Sequence, residues 1–598
     1  MGVQGLRKFI DGSGASRTVS APPEGAAAGN SVRGALVDHV LIDMNGLIHS
    51  CYTREHTAGA QTIRATLERL TILFKTVVCP CVSLVLAIDG PPPVAKLTTQ
   101  RMRRRKVRHM DVASGSGFSD LSITVGSTFL LEMEQALSVF LMAAKSEGWL
   151  RCAEASVVGS SVIGEGEHKL AHALQLIARD PALYKPDASV VVVGNDIDLI
   201  LTCMGATAFT SIGVLSPSSL QFVDVGAIMQ RWCEGEGAFV RDMSDLASAR
   251  LDFVLAFLLN GGDHFVGLGD VAVSLWRRYK LLRASNPAFR VFNPTGSKLN
   301  VGSFAELIGC EGWRPGSRDE PEEHEPKRAG SEEIDDDIDG PDGEPRRGGK
   351  GKGKGKGEKS KAPMSARQSE LKDLARTLVD ATMWAFAATV RGEIADYREA
   401  PPDLSGLTIA NLRDAVMGIT VNALTFRRHG GQPLAPIVGF AAVMPTIDHM
   451  PAAFQAAAAK YPAVAAKLEE AREPQQVVDA VIALWKRVDV AALTPAEKFL
   501  TQFGDPVSPI CVPAAEGGGQ SLSQRWKQSV IPGSKGKERA TLPFDATAKP
   551  SFTDPLGKRA TRPAQAGGAK GQQRRPRSAS AGHRRPTQKH RRERNHRD

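Results

Sequence analysis

Aromatic residues are scarce in this chain: they make up 6% of its 598 residues, while 42% are apolar in the broader sense. A core of that composition must be built from Ala, Val, Leu and Ile. The eight cysteines are scattered, and the C-P-C pair Cys79/Cys81 has no second pair to complete a zinc spacing. Nothing suggests the dense framework of a secreted disulfide scaffold, so reduced thiols in cytosol, nucleus or organelle are expected. No apolar run approaches membrane-spanning length. The opening MGVQGLRKFI is too short and too charged for a signal h-region, and Leu6 stands where a myristoylation motif needs Ser or Thr.

Basic charge is also missing from most of the chain, although the formal net charge is +10. Residues 558–598 hold 14 Lys/Arg and 2 Asp/Glu, which leaves the rest of the chain at −2. The basic pI belongs to the C-terminal tail and says little about the globular part.

What is present is an alternation. The runs ALVDHVLID (35–43), SLVLAID (83–89), EASVV (154–158) and SVVVVGN (189–195) read as strands, separated by helical patterns at 61–78, 93–110, 127–147 and 167–179. Continuous β-branched runs between helices predict an α/β domain with a mainly parallel sheet covered on both faces. Residues 11–34, rich in Gly, Ala, Ser and Pro, read as a loop. The expected organisation is an α/β domain at 1–315, a disordered charged Gly/Lys linker at 316–364, a mainly helical second region at 365–505 and a disordered basic tail at 506–598.

The strands end in acid. Asp43, Asp89 and the pair Asp196/Asp198 directly follow three of them, Glu165 and Glu167 of GEGEHK follow the fourth after a short loop, and Asp263 follows an apolar helix pattern at 248–259. Ligands of open parallel sheets sit outside the carboxyl ends of the strands, so these seven carboxylates are expected to converge on one cleft. Ionised together, they need cations between them, and oxygen donors suit Mg²⁺ or Mn²⁺. Two such ions are the usual arrangement for phosphodiester cleavage. A single Asp at a strand end is more often a helix cap or turn residue, and GEGEHK alone reads as a capped helix start with acid at the positive end of the dipole. Recurrence after four successive strands favours the metal site. Beyond Asp89, Lys96, Gln100, Arg103 and Arg104 lie at helical offsets 0, 4, 7 and 8, on one face. Alone this is a solvated basic helix; beside an acidic cleft it suits a terminal phosphate.

The motifs LIDMNGLIHSC, DGPPPVAKLTTQRMRRR, ITVGSTFL, VIGEGEHKL and GNDIDLI occur in this order. Together they resemble the XRN family of 5′→3′ exoribonucleases over about residues 35–275. The resemblance implies a PIN-like nuclease fold of the flap-endonuclease and XRN type, with Asp43, Asp89, Glu165, Glu167, Asp196, Asp198 and Asp263 as catalytic metal ligands, two Mg²⁺ or Mn²⁺ ions, Lys96, Gln100, Arg103 and Arg104 around a 5′ monophosphate, and His49 stacked on the first base. It implies single-stranded RNA as substrate, mononucleotides as product, and a monomer that uses no membrane.

Two departures lean elsewhere. MGVQGL is closer to flap-endonuclease and XPG-type nucleases, and the Asp263 segment reads NGGDHFVGLG where the XRN pattern usually reads GNDFLP. A structure-specific DNA flap endonuclease is therefore the competing enzyme. The second region is a reduced copy: MWAFAATVRG…DYREAPPDLSGL (383–407), QPLAPIVGFAAVMP (432–445) and ALWKRVDVAALTPAEKFL (483–500) follow in family order. The family's aromatic-rich core shrinks there to Tyr397 and APP, and the tryptophan that would sandwich the base with His49 is missing. Weaker grip and lower processivity are expected, since base stacking contributes roughly 1–3 kcal/mol per base. A catalytically weak RNA-binding scaffold is the third reading. The basic run 574–597 reads either as a nonspecific RNA-binding tail or as a nuclear address, and nuclear location is expected.

Overall fold

Eight strands form one sheet: β1 (Ser16–Thr18), β2 (Ala35–Asp43), β3 (Val78–Ala87), β4 (Glu154–Val158), β5 (Ser189–Val193), β6 (Ser211–Leu215), β7 (Gln221–Asp224) and β8 (Val507–Cys511). Their order is β1-β7-β6-β5-β2-β3-β4-β8. The structure is a computed structural model and describes residues 3, 5–20, 32–111, 118–235, 240–309, 366–417, 431–511, 520–530 and 541–557. All of these fall within one compact unit, Met1–Ala560. The linker expected at 316–364 and the basic run 574–597 lie outside the described residues.

The five central strands, β6-β5-β2-β3-β4, are parallel, and antiparallel strands close both edges. Side chains alternate across the sheet as the two-residue period requires. Leu41, Val85, Val190 and Val192 enter one hydrophobic core, and Val40, Ile42, Leu84, Leu86, Val191 and Val193 enter the other. Burial on both faces explains why the strands read as unbroken apolar runs. The register slips once, between Val37 and His39, opposite Pro80 of β3. Proline has no ladder donor, and a bulge there is the usual accommodation.

From β2 the chain winds outward through β3 and β4, then returns to the other side of β2 for β5 and β6. The direction of winding therefore reverses between β2 and β5, and the carboxyl ends of those strands define the switch-point crevice. The strand ends are level: Asp43 pairs with Ala87, Ala87 with Val158, and Ile42 with Val193.

Helices α1 (Leu6–Ser13), α2 (Met44–Cys51), α3 (Gly59–Ile72), α4 (Val94–Asp111), α5 (Thr128–Ser146), α6 (Gly166–Arg179) and α7 (Leu199–Gly205) accompany this sheet. Residues 11–34 are not simply a loop: they begin inside α1 and include β1, which extends the sheet through β7. Between 366 and 505 the described residues form helices and no strand. Two of these helices, Pro436–Val443 and Pro474–Trp485, pack on Val94 and Leu97 and so buttress α4. The helix Ala366–Arg391 packs on α6 and α7.

The region expected to be a disordered tail from 506 is corrected in three places. β8 completes the sheet beside β4. In the helix Leu522–Val530, Arg525 pairs with both Glu154 and Asp180 at 2.8 Å. Residues 541–557 lie along the core: Phe544, Ala548 and Phe552 pack against it, and Met243 and Ser244 donate backbone hydrogen bonds to Ala548 and Ala546. The composition is polar because the anchors are few and widely spaced, and main-chain hydrogen bonds with distant segments supply the rest.

Candidate active site

Asp43 ends β2 and caps α2, accepting a hydrogen bond from Asn45 N–H at 3.2 Å. Asn45 Oδ1 in turn accepts from the Asp89 N–H at 2.9 Å, which fixes the turn after β3. Asp89 Oδ1 accepts from Gly166 N–H at 2.6 Å, at the start of α6. The glycine between the two glutamates of GEGEHK is explained here. A Cβ on Gly166 would lie 2.8 Å from Asp43 Oδ1 and 3.1 Å from Asp89 Oδ1, so only hydrogen fits between two carboxylates and the helix N-terminus that faces them.

Glu165 is buried (2% exposed) and pairs through Oε1 with Lys96 of α4. Lys96 also lies 3.8 Å from Asp263, which accepts from Arg103 at 2.9 Å. Glu167, Asp196, Asp198 and Asp263 line one cavity with Val3, His168 and His264. Asp198 accepts from Val3 N–H at 2.8 Å, which gives the N-terminal MGVQGL segment its place against the site. The seven acids thus meet on one rim, with Lys96 inside it.

Their crowding shows in their protonation. Burial, then the charges of Asp89 and Asp196, push Asp43 up to about 8. Burial pushes Glu165 up to about 7, against the pull of Lys96 and with the repulsion of Asp89 and Asp263. Burial and then Asp196 push Asp198 up to about 7. Glu167 is held well above the carboxylate range by burial and by Glu165, Asp196 and Asp198, in spite of Lys96. Burial alone would lower Lys96; Glu165, Glu167, Asp89 and Asp263 outweigh it and hold the ammonium well above the ordinary lysine range. Glu165 Oε2 is buried and accepts no hydrogen bond among the described residues. Mutually repelling carboxylates with an orphaned carboxylate oxygen fit hard divalent cations.

The basic face of α4 is placed beside this rim, but it is already engaged. Lys96 and Arg103 hold Asp263 and Glu165 as described, and Gln100 is half-buried between them along the helix. Arg104 donates to Asp120 at 3.2 Å and to the Ile123 carbonyl at 3.3 Å. Asp120 also accepts from His49 Nδ1 at 2.8 Å, so one carboxylate ties His49 to Arg104. No aromatic ring packs on His49 among the described residues. Trp384, the first aromatic of the reduced second region, is buried; it donates to the Asp396 carbonyl at 3.2 Å and packs edge-on against His264.

Several participants escaped the sequence reading. Lys169 of GEGEHK does not face the acids with its ammonium; Nζ donates to the Ile88 carbonyl at 2.5 Å and the Gly159 carbonyl at 2.8 Å, clamping the ends of β3 and β4 together. Burial pushes it down to about 7. Asp120 and Asn45 carried no signal beyond being short polar residues near motifs. His168 and His264 stand in quoted motifs, yet only the fold brings them face to face, with ring centroids 5.7 Å apart. Burial, with Lys96, pushes His168 down to about 3 and His264 well below the usual imidazole range, so both rings are neutral.

An open sheet with a carboxylate-lined crevice at its switch point, wrapped by helices, defines the chain as a PIN-like nuclease fold. Residues 1–215 match the family described as XRN 5'-3' exonuclease N-terminus. The 5'-3' exoribonuclease 2 of Debaryomyces hansenii is 28% identical over 198 residues, covering 27% of this chain and 19% of that protein. The 5'-3' exoribonuclease 2 of Saccharomyces cerevisiae is 28% identical over 196 residues, 27% of this chain and 19% of that one. The match thus spans about a fifth of the length of these relatives. Among solved structures, the catalytic core of Rad2 in complex with DNA substrate aligns at 14% identity with a TM-score of 0.26, covering 47% of this chain and 71% of that one. The bacteriophage T5 D15 flap endonuclease aligns at 10% identity with a TM-score of 0.22, covering 40% and 75%.

Proposed function

We propose that the chain is a divalent-metal-dependent 5′→3′ exoribonuclease that removes mononucleotides from 5′-monophosphorylated single-stranded RNA. The observation that carries this reading is the rim of seven carboxylates directly beside Lys96 and Arg103, in a chain whose residues 1–215 match the XRN N-terminus. Asp43, Asp89, Glu165, Glu167, Asp196, Asp198 and Asp263 would hold the ions, two Mg²⁺ or Mn²⁺. When bound, such ions supply a hydroxide nucleophile and stabilise the leaving oxygen.

The protein's own part is measurement and placement. A terminal phosphate competes with Asp263 for Lys96 and Arg103, and Gln100 lies on the same helix face. A monophosphate brings two charges and presents planar oxygen pairs that suit Arg. A triphosphate is larger and more highly charged than the monophosphate that Lys96, Gln100 and Arg103 would take, and is expected to be the poorer substrate. Arg104 and His49, joined through Asp120, would take the first nucleotide. Without a ring opposite His49, stacking is one-sided, and the enzyme is expected to release partly shortened RNA.

The reading is tested by incubating matched single-stranded RNAs bearing 5′ monophosphate, triphosphate or hydroxyl, together with a DNA flap, with and without Mg²⁺. Mg²⁺-dependent decay of the monophosphate RNA to mononucleotides is expected. Cleavage of the flap alone, at its junction, overturns it in favour of a flap endonuclease; decay of none of them favours a binding scaffold. For the basic run 574–597 we propose a nuclear address, and loss of nuclear accumulation on deleting it from a tagged protein is the expected result.

A further inference from the structure

The rim is not chemically uniform. One end is oxygen only: Asp43, Asp89, Asp196 and Asp198. At the other end two neutral imidazoles join two carboxylates. One donor atom each from Glu165, Glu167, His168 and His264 lie within 4.8 Å of one another. His264 Nε2 is 3.5 Å from Glu165 Oε2, His168 Nδ1 is 3.7 Å from the same oxygen, and His168 Nε2 is 3.7 Å from Glu167 Oε1. Nitrogen and oxygen donors set tetrahedrally about 2.0–2.2 Å from an ion are about 3.3–3.6 Å apart from each other. The His264–Glu165 separation falls in that range and each His168 separation is just beyond it; His168 offers an ion one nitrogen only, Nδ1 beside Glu165 or Nε2 beside Glu167.

The atoms facing this point are also unsatisfied. Glu165 is 2% exposed and His168 4% exposed, and Glu165 Oε2 and His168 Nδ1 have no hydrogen-bond partner. Buried polar atoms are nearly always paired, so two orphans aimed at one another's vicinity call for a ligand between them. Lys96 occupies Glu165 Oε1 only, which leaves Oε2 for that ligand. Trp384 packs edge-on on His264 at 5.2 Å between ring centroids and fixes the ring's position.

We propose that Glu165, Glu167, His168 and His264 form a mixed nitrogen–oxygen site for a borderline divalent cation of the Zn²⁺ class, distinct in preference from the oxygen-only end of the rim. Two imidazoles favour Zn²⁺ or Co²⁺ over Mg²⁺, which takes oxygen donors and keeps its waters. The site goes beyond the nuclease reading and stands or falls on metal binding, whatever the chain does to RNA.

The test uses the full chain, stripped with chelator and titrated with Co²⁺ and then Zn²⁺. One equivalent of Co²⁺ giving the intense visible bands of four-coordinate cobalt, displaced by Zn²⁺, is expected. His264→Phe is expected to weaken Zn²⁺ binding by about a hundredfold, since losing even an outer-shell partner of a metal ligand costs roughly 10–100-fold, and to leave Mg²⁺ binding unchanged. His264→Gln, which keeps a polar side chain of similar reach, guards against misfolding: with an unchanged far-ultraviolet spectrum it must show the same loss. Equal Zn²⁺ affinity in wild type and both variants overturns the site. So do weak six-coordinate cobalt bands, or thiolate charge-transfer bands placing the ion on cysteines such as Cys79 and Cys81. Loss of RNA decay with Zn²⁺ binding intact would strike the proposed function and spare this site.

Discussion

Gly166 shows how much one missing methyl group does. Its N–H reaches Asp89, and its bare Cα lets Asp43 and Asp89 close on the helix terminus. Gly166→Ala adds a Cβ that must displace one of the carboxylates, by an amount that typically costs about 100-fold in rate when a reacting group is misplaced by ~1 Å. Alanine in a helix is favoured over glycine by about 1 kcal/mol. The expected outcome is therefore opposite in sign for the two properties: RNA decay falls about 100-fold, while the thermal midpoint stays level or rises. A parallel loss of both would mean that Gly166 serves the fold and not the acids. The acids were legible in sequence because Asp43, Asp89, Asp196 and Asp198 follow strands directly, Glu165 and Glu167 follow one after a short loop, and Asp263 follows an apolar helix. His168, His264 and Asp120 were not, because their partners are 71 to 99 positions away or on another helix, and no spacing rule links them.

At the scale of elements, the strands β2, β3, β4 and β5 and the helices α3, α4, α5 and α6 announce themselves through period and β-branched runs. β8, the helix Leu522–Val530 and the segment 541–557 do not, because each is held by a few contacts to distant surfaces. Arg525 is the clearest of these: its guanidinium spans Glu154 of β4 and Asp180 after α6, all three about one-eighth exposed. Removing one partner of a largely buried ion pair costs about 3–5 kcal/mol because the remaining charges stay desolvated. Arg525→Ala should lower stability by about that much in urea unfolding, whereas a disordered tail would tolerate the change within experimental error. A second element carries a pH signature. His39, in the middle of β2, bonds Ser83 of β3 at 2.8 Å, and burial pushes its imidazole down to about 4 against an ordinary 6.5. Between those values the unfolded chain binds the proton and the folded one does not, so stability is complete above pH 6.5 and is lost as pH falls toward 4. The shift corresponds to about 3 kcal/mol at most. In His39→Gln, that part of the pH dependence should disappear from unfolding curves measured between pH 4 and 7; an unchanged slope would mean His39 is protonated in the fold.

For the whole molecule, the helical second region and the N-terminal domain are parts of one machine. α4 carries the cations, and the helices Pro436–Val443 and Pro474–Trp485 hold α4 in place. The helix Ala366–Arg391 packs on α6 and α7, whose N-terminal ends carry Glu165, Glu167 and Asp198. Linked in this way, the rim collects charges that repel one another, and its stability should depend on the ions it is built to hold. Thermal unfolding of wild type and Asp196→Ala, each in chelator and in Mg²⁺, measures this directly. Mg²⁺ should raise the wild-type midpoint by several degrees and leave Asp196→Ala almost unmoved, and in chelator the variant should melt no lower than wild type because one repelling charge is gone. A wild-type midpoint indifferent to Mg²⁺, with Asp196→Ala melting lower in chelator, would contradict the account.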